Sequence, residues 1–177
     1  MSIFDAPIVQ NLLNLPIVSR LRRNHGLEHA SLNVLSRKFP HHKLAGHSDL
    51  RGFWLFGDVS IEDVRDAIEE ALARIRHGEV DLTIHATCGT NFVTAGILAG
   101  LAAWVSLIGS GQRSRDRFER LPLAMMLATL GVLIGYPLGL QLQTGVTTCG
   151  EMKNLQVVEI LAGRKGGSMA YRVTTRG

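Results

Sequence analysis

Two stretches without charge constrain this chain more than anything else in it. Phe92 to Ser110 and Leu121 to Gln143 contain no Asp, Glu, Lys or Arg. At 1.5 Å of rise per residue, each is long enough to cross about 30 Å of hydrocarbon. The loop between them, Gly111 to Arg120, carries Arg113, Arg115, Arg117 and Arg120. Two long apolar segments joined by a short charged loop predict a transmembrane helical hairpin. A buried hairpin in a soluble core is the alternative, but a chain of 177 residues offers too little flanking protein to cover it. Glycines recur at fourfold spacing, Gly96 and Gly100 in the first span and Gly131, Gly135 and Gly139 in the second. Such spacing lets helix backbones approach closely. It predicts that the spans pack on each other, with a second copy or a membrane-protein partner as the competing occupant. Pro137 predicts a kink in the second span.

Outside the spans the sequence is that of an ordinary folded domain. Hydrophobic residues make up 46% and charged residues 19%, strongly segregated along the chain. The net charge is +4, with arginine concentrated at Arg20, Arg22 and Arg23, in the connecting loop and near the C-terminus. Basic residues beside apolar runs point to a membrane surface and so to the lipid bilayer as partner. No basic stripe interleaves with aromatics, which argues against nucleic acid. The stretch Pro7 to Val18 is apolar but broken by Gln10, Asn11, Asn14 and Pro16, with no small-residue cleavage site after it. It reads as an amphipathic membrane-surface segment over residues 1–22 rather than a signal peptide. A helix packed on the protein's own core is the alternative.

The remaining periodicities predict a helix from Ile17 to Arg37, stopped by Pro40. Short strands follow over Leu44–Leu50 and Gly52–Phe56. Asp58 or Ser60 caps a helix from Ile61 to Arg76, with Asp63 at capping-box spacing from Ser60 and Gly78 at its end. The alternation of Val80 to His85 predicts a further strand. Leu155–Leu161 and Met169–Thr174 predict a C-terminal β-hairpin that completes the sheet. The fold class expected is α+β: a small soluble α/β unit with a mixed sheet, interrupted by a two-helix transmembrane hairpin. The expected divisions are a surface segment (1–22), a metal-site domain (23–91), the hairpin (92–142) and the C-terminal β-hairpin (143–177).

The chemistry concentrates in two clusters. His25-Gly26-Leu27-Glu28-His29 sets two imidazoles one helical turn apart with a carboxylate on the same side, the reverse of the H-E-x-x-H order. His85-Ala86-Thr87-Cys88-Gly89-Thr90-Asn91 stands directly before the first span. Zinc takes nitrogen and sulfur ligands in a tetrahedron, and one helix supplies too few of them. His25 and His29 are therefore candidate metal ligands, with His85 and Cys88 as candidates to complete the set. If three residues bind, a water fills the fourth place and Glu28 is the candidate general base. If four bind, the site is closed and structural. Each residue also has a plainer reading: a satisfied or surface histidine, or a cysteine serving as a small buried hydrophobe. His41, His42, His47 and His77 read as solvated, with His47 a reserve ligand. Asn91 either orients a ligand or caps the span. Two cysteines, Cys88 and Cys149, are too few for a disulfide framework.

The paired motifs H-G-x-E-H-A and H-x-x-C-G-T before a hydrophobic span resemble the bacterial YqhQ-like family. The stretch Leu44 to Gly57, with Ser48-Asp49 and Gly52-Phe53, is similar to a shorter bacterial membrane group with the same motifs. The resemblance covers Arg23 to Asn91. It implies a small membrane protein with a metal-dependent activity. With the residue chemistry it predicts a zinc-dependent, peptidase-like integral-membrane hydrolase. A non-catalytic accessory or assembly subunit of a larger membrane complex, with a structural metal or none, is the alternative. The expected location is the bacterial inner membrane, multi-pass. The absence of a leader places the soluble part in the cytoplasm, although the loop arginines pull the other way.

Overall fold

A computed structural model describes residues 4, 6–111 and 113–177. The first three residues and Asp5 of the surface segment, and Gln112 of the connecting loop, lie outside them. The chain forms two compact units. One contains residues 1–85 and 144–177, the other residues 86–143.

The first unit begins with a short helix, α1 (Pro7–Leu13), and a long one, α2 (Pro16–Lys38). Pro16 sits in the first turn of α2, where its missing N–H and fixed φ suit a helix start. The break that the sequence predicts near Pro16 is therefore a helix boundary. α2 ends at Phe39, the residue before Pro40, which is biased away from helical geometry. Arg37 and Lys38 in its last turn complement the helix dipole.

Strands β1 (Ala45–Asp49) and β2 (Gly52–Phe56) form a hairpin, and α3 (Ile61–Arg76) follows. Of the two candidates, Ser60 caps α3: its hydroxyl accepts from the Asp63 N–H at 3.0 Å and donates to the Asp63 carboxylate at 2.7 Å. Val64, Ala67, Ile68, Ala71 and Ile75 form its buried stripe. After residue 144, β3 (Gln156–Lys165) and β4 (Ser168–Arg176) complete the sheet in the order β1-β2-β4-β3. On its covered face Phe53 pairs with Val173 and Leu55 with Tyr171. These residues join Leu27, Leu35, Val64, Ile68 and Leu155 in one core. Each such fully buried large side chain contributes roughly 1.5–3 kcal/mol. Tyr171 closes the core by donating its hydroxyl to the Val59 carbonyl.

The structure corrects two expectations here. Every strand pair is antiparallel, so the sheet is not mixed. Val80 to His85 is not a strand: Val80–Thr83 is a 3-10 turn. The cause lies in the backbone acceptors. Asn33 donates to the carbonyls of Leu82 and Ile84, each at 2.9 Å, and the His29 ring bonds that of Thr83. Carbonyls satisfied by side chains of α2 have no need of a strand ladder. Without that fifth strand, two hairpins joined through β2 and β4 leave only antiparallel neighbours.

The second unit is a helical pair, α4 (Gly89–Leu107) and α6 (Leu121–Leu142), with a short α5 (Ser114–Glu119) between them. The apolar segments Gly89–Leu107 and Leu121–Thr147 are long and apolar enough to cross a membrane. Gly131, Gly135 and Gly139 lie against Ala99, Ala95 and Asn91 of α4. At Gly135 a Cβ would stand 2.5 Å from the Cα of Ala95. Gly96 and Gly100, by contrast, have nothing within 4 Å of an added Cβ. The glycines of one span thus meet alanines and an asparagine of the other, not its glycines. Pro137 lies within α6. Outward positions carry Phe92, Ile97, Leu101, Trp104, Met125, Leu133 and Ile134.

Candidate metal centre

α2 presents Arg22, His25, His29 and Asn33 along one side, at spacings of three and four residues. This stripe faces two segments that are not helical neighbours in sequence. Arg22 donates to the carbonyls of Gly145 and Thr148, at 3.3 and 3.0 Å. Asn33 holds the turn before His85. Between them His25 bonds the Thr147 carbonyl through Nδ1 at 2.9 Å, and His29 bonds the Thr83 carbonyl through Nδ1 at 2.8 Å. A carbonyl only accepts, so each ring must donate from Nδ1. Each Nε2 is then left as the lone-pair nitrogen when the ring is neutral. A main-chain carbonyl on the far nitrogen is the usual support of a metal-ligating imidazole.

The rings themselves are close. The centroids of His25 and His29 are 4.2 Å apart, with planes at 62°. Those of His29 and His85 are 5.6 Å apart at 37°. Two imidazoles on one tetrahedral zinc, with Zn–N about 2.0–2.1 Å, place their centroids about 5 Å apart. The His29–His85 separation is near that value and the His25–His29 separation is shorter, so the three rings are close enough to be candidate ligands of one ion. His29 is buried, with 2% of its surface exposed. Burial pushes the His85 imidazole below its ordinary pKa, which favours the neutral form that a ligand must have.

Glu28 also meets the sheet. It is 4% exposed, and its carboxylate lies against Gly46 of β1. A Cβ at Gly46 would come within 2.8 Å of the Glu28 Cδ. One turn earlier, Asn24 donates to the Asp49 carbonyl at 2.8 Å and accepts from the Thr175 hydroxyl at 2.7 Å. Asn24 and Glu28 are thus polar residues of α2 that meet the sheet.

Cys88 belongs to the helical pair. It is the N-cap of α4, its sulfur accepting from the Thr90 N–H at 3.4 Å, and it follows His85 by three residues. Asn91 ties that same turn together, donating to the Ala86 carbonyl at 2.8 Å and accepting from Gln143 at 2.7 Å. His41, His42, His47 and His77 are all exposed.

Several contributors escaped the sequence reading. Arg22 and Asn33 were visible as an i, i+3, i+4 polar stripe through His25 and His29. The carbonyls of Thr83 and Thr147 leave no mark in a sequence. Gly26 is the third case: α2 runs so near the 147–149 segment that a Cβ there would meet the Cys149 carbonyl oxygen at 2.7 Å.

The comparisons give a family and no activity. Residues 20–160 match the domain of unknown function DUF6391. An uncharacterised protein of Picosynechococcus sp. is 35% identical over 144 residues, covering 70% of each chain. No solved structure matches. The matched span takes in both histidine-bearing segments and both apolar helices, and the chain belongs to the DUF6391 family.

Proposed function

We propose that this protein is an integral-membrane, zinc-dependent hydrolase. His25 and His29 hold the ion, with Glu28 as general base. α4 and α6 cross the bacterial inner membrane as a hairpin, and the sheet-bearing unit lies on the cytoplasmic side. The observation that carries the metal reading is the shared orientation of His25 and His29. Both rings direct Nδ1 to a main-chain carbonyl, which in the neutral ring puts the lone pair on Nε2, the atom that would ligate a cation. The two-part motif, with its resemblance to predicted metal-dependent membrane proteins, supports the same assignment.

In that arrangement each residue has one task. Thr83 and Thr147 fix the imidazole rings through their carbonyls. Glu28 accepts the proton of the attacking water and returns it to the leaving group. Zinc, when bound, supplies Lewis acidity towards a carbonyl and acidifies water.

A second reading is favoured by His85, whose ring lies 5.6 Å from that of His29. Were His85 and a further protein group to bind as well, four protein ligands would close the site and make it structural. Elemental analysis of the detergent-purified protein tests both readings at once. The expected result is one zinc per chain, lost in His29→Ala and retained in Glu28→Gln. A wild type without stoichiometric metal overturns both. X-ray absorption then separates them: three protein ligands plus an oxygen support hydrolysis, four protein ligands the structural pin.

A further inference from the structure

The first turns of α2 carry a second feature that the metal centre does not use. Arg23 is only 6% exposed, yet its guanidinium makes no hydrogen bond and no ion pair, and its Nε is buried without a partner. Among the described residues, no Asp or Glu pairs with Arg20, Arg22 or Arg23. Arg22 is occupied by the carbonyls of Gly145 and Thr148. Arg20 donates to the Thr175 carbonyl at 2.8 Å, and its Nε is left over. Ser19, 8% exposed, has no side-chain hydrogen bond either.

These residues share one side of the helix. Ser19 and Arg23 are four apart, Arg20 and Arg23 three apart. The result is a cluster of donors in which the Arg23 guanidinium, the Arg20 Nε and the Ser19 hydroxyl have no acceptor among the described residues. An uncompensated buried cation is strongly disfavoured, and native structures neutralise it with an anion. Guanidinium groups match phosphate oxygens in a planar, two-pronged geometry, and a serine hydroxyl adds a third donor.

The surroundings indicate where that phosphate comes from. The chain entering α2 exposes Ile8, Leu12, Leu15, Ile17 and Leu21, the first by 76% and Ile17 by 67%. Large apolar side chains beside unpaired arginines suit the boundary between headgroups and acyl chains. We propose that Ser19, Arg20 and Arg23 bind the phosphate of an anionic membrane lipid, with the apolar side chains of residues 8–21 against its acyl region. This site is independent of the metal reading.

Thermal unfolding of the full chain in a non-ionic detergent tests it, with phosphatidylglycerol, phosphatidylcholine or inorganic phosphate added. The expected result is a rise in Tm with phosphatidylglycerol alone, since a ligand that binds only the folded state stabilises it by mass action. Arg23→Met, which removes the buried charge and keeps the volume, should unfold no lower than wild type without lipid and lose at least half of the phosphatidylglycerol shift. If Arg23→Met fails to accumulate, native mass spectrometry of Arg20→Gln gives the same reading through reduced retention of phosphatidylglycerol. The proposal is overturned if phosphatidylcholine or inorganic phosphate raises Tm equally. It is overturned too if Arg23→Met keeps the full shift, or if Arg20→Gln retains the lipid as wild type does.

Discussion

Gly26 lies directly beneath the carbonyl of Cys149, so close that a Cβ at this position would stand 2.7 Å from the oxygen. The same segment is locked to α2 by the Cys149 N–H, which donates to the Arg22 carbonyl at 3.1 Å. The glycine of the H-G-x-E-H motif is thus explained by packing. It lets the 147–149 strand of chain approach near enough for the Thr147 carbonyl to hold His25.

Gly26→Ala puts two effects in opposition. Alanine in a helix interior gains about 1 kcal/mol over glycine. Overpacking typically costs about 1–3 kcal/mol, and the group met here is main chain that is itself hydrogen-bonded. The clash should prevail. The variant is expected to unfold at lower temperature than wild type and to lose zinc, because displacing residues 147–149 removes the support of His25. Metal content and Tm measured on the same preparation check this. A Gly26→Ala protein with full metal and unchanged Tm would show that the contact is dispensable.

The part of this architecture that was legible in the sequence is the part governed by periodicity. The two uncharged runs, the Ser60 cap, the α3 stripe and the closing β-hairpin all express a local repeat. Val80 to His85 misled because its alternation is real but its carbonyls are claimed by Asn33 and His29, more than forty-five residues away in sequence. No local pattern carries that information. For the site, His25 and His29 were legible because one helix presents both. The course of Glu28 towards Gly46 was not, since it depends on which side of α2 the sheet occupies.

The glycines of the two spans make a sharper contrast than their spacing suggests. A side chain at Gly135 would collide with the Ala95 backbone, whereas one at Gly96 meets nothing within 4 Å. Gly135→Leu should therefore separate α4 from α6 and destabilise the pair by roughly 2 kcal/mol or more. Gly96→Leu should leave the unfolding midpoint of the detergent-solubilised protein close to that of wild type. Equal effects from the two variants would refute the assigned interface.

A buried amide pair also holds the helices. Gln143 and Asn91 are both fully buried and share a hydrogen bond of 2.7 Å, and Asn91 in turn holds the Ala86 carbonyl. Gln143→Leu removes one partner and leaves the other in an apolar setting. A loss of about 1–2 kcal/mol is expected, read as a lower denaturation midpoint in detergent. The double variant Gln143→Leu, Asn91→Leu should add less than the sum of the single changes, because the residues form one network. Additive losses would place the two amides in separate roles.

At the open end of the sheet, Arg172 grips Asp49 with two hydrogen bonds, at 2.7 and 2.9 Å, and stacks its guanidinium over Trp54. The Arg51 N–H adds a third bond to the same carboxylate. The Arg172 hydrogen bonds hold the Asp49 carboxyl below its ordinary pKa of 3.8. A depressed folded-state pKa means that the unfolded chain takes up its proton first as pH falls. The contribution of the pair is therefore complete above the ordinary value and is lost as pH drops through the folded one. Asp49→Asn should lower Tm relative to wild type at about pH 7, and the two curves should converge by about pH 2. Added salt should narrow the gap only in part, because Arg172 is shielded by Trp54 while Asp49 faces solvent. Thermal unfolding across this pH range decides the point: a gap between variant and wild type that persists unchanged into acid would mean that Asp49 acts through the turn alone and not through its charge.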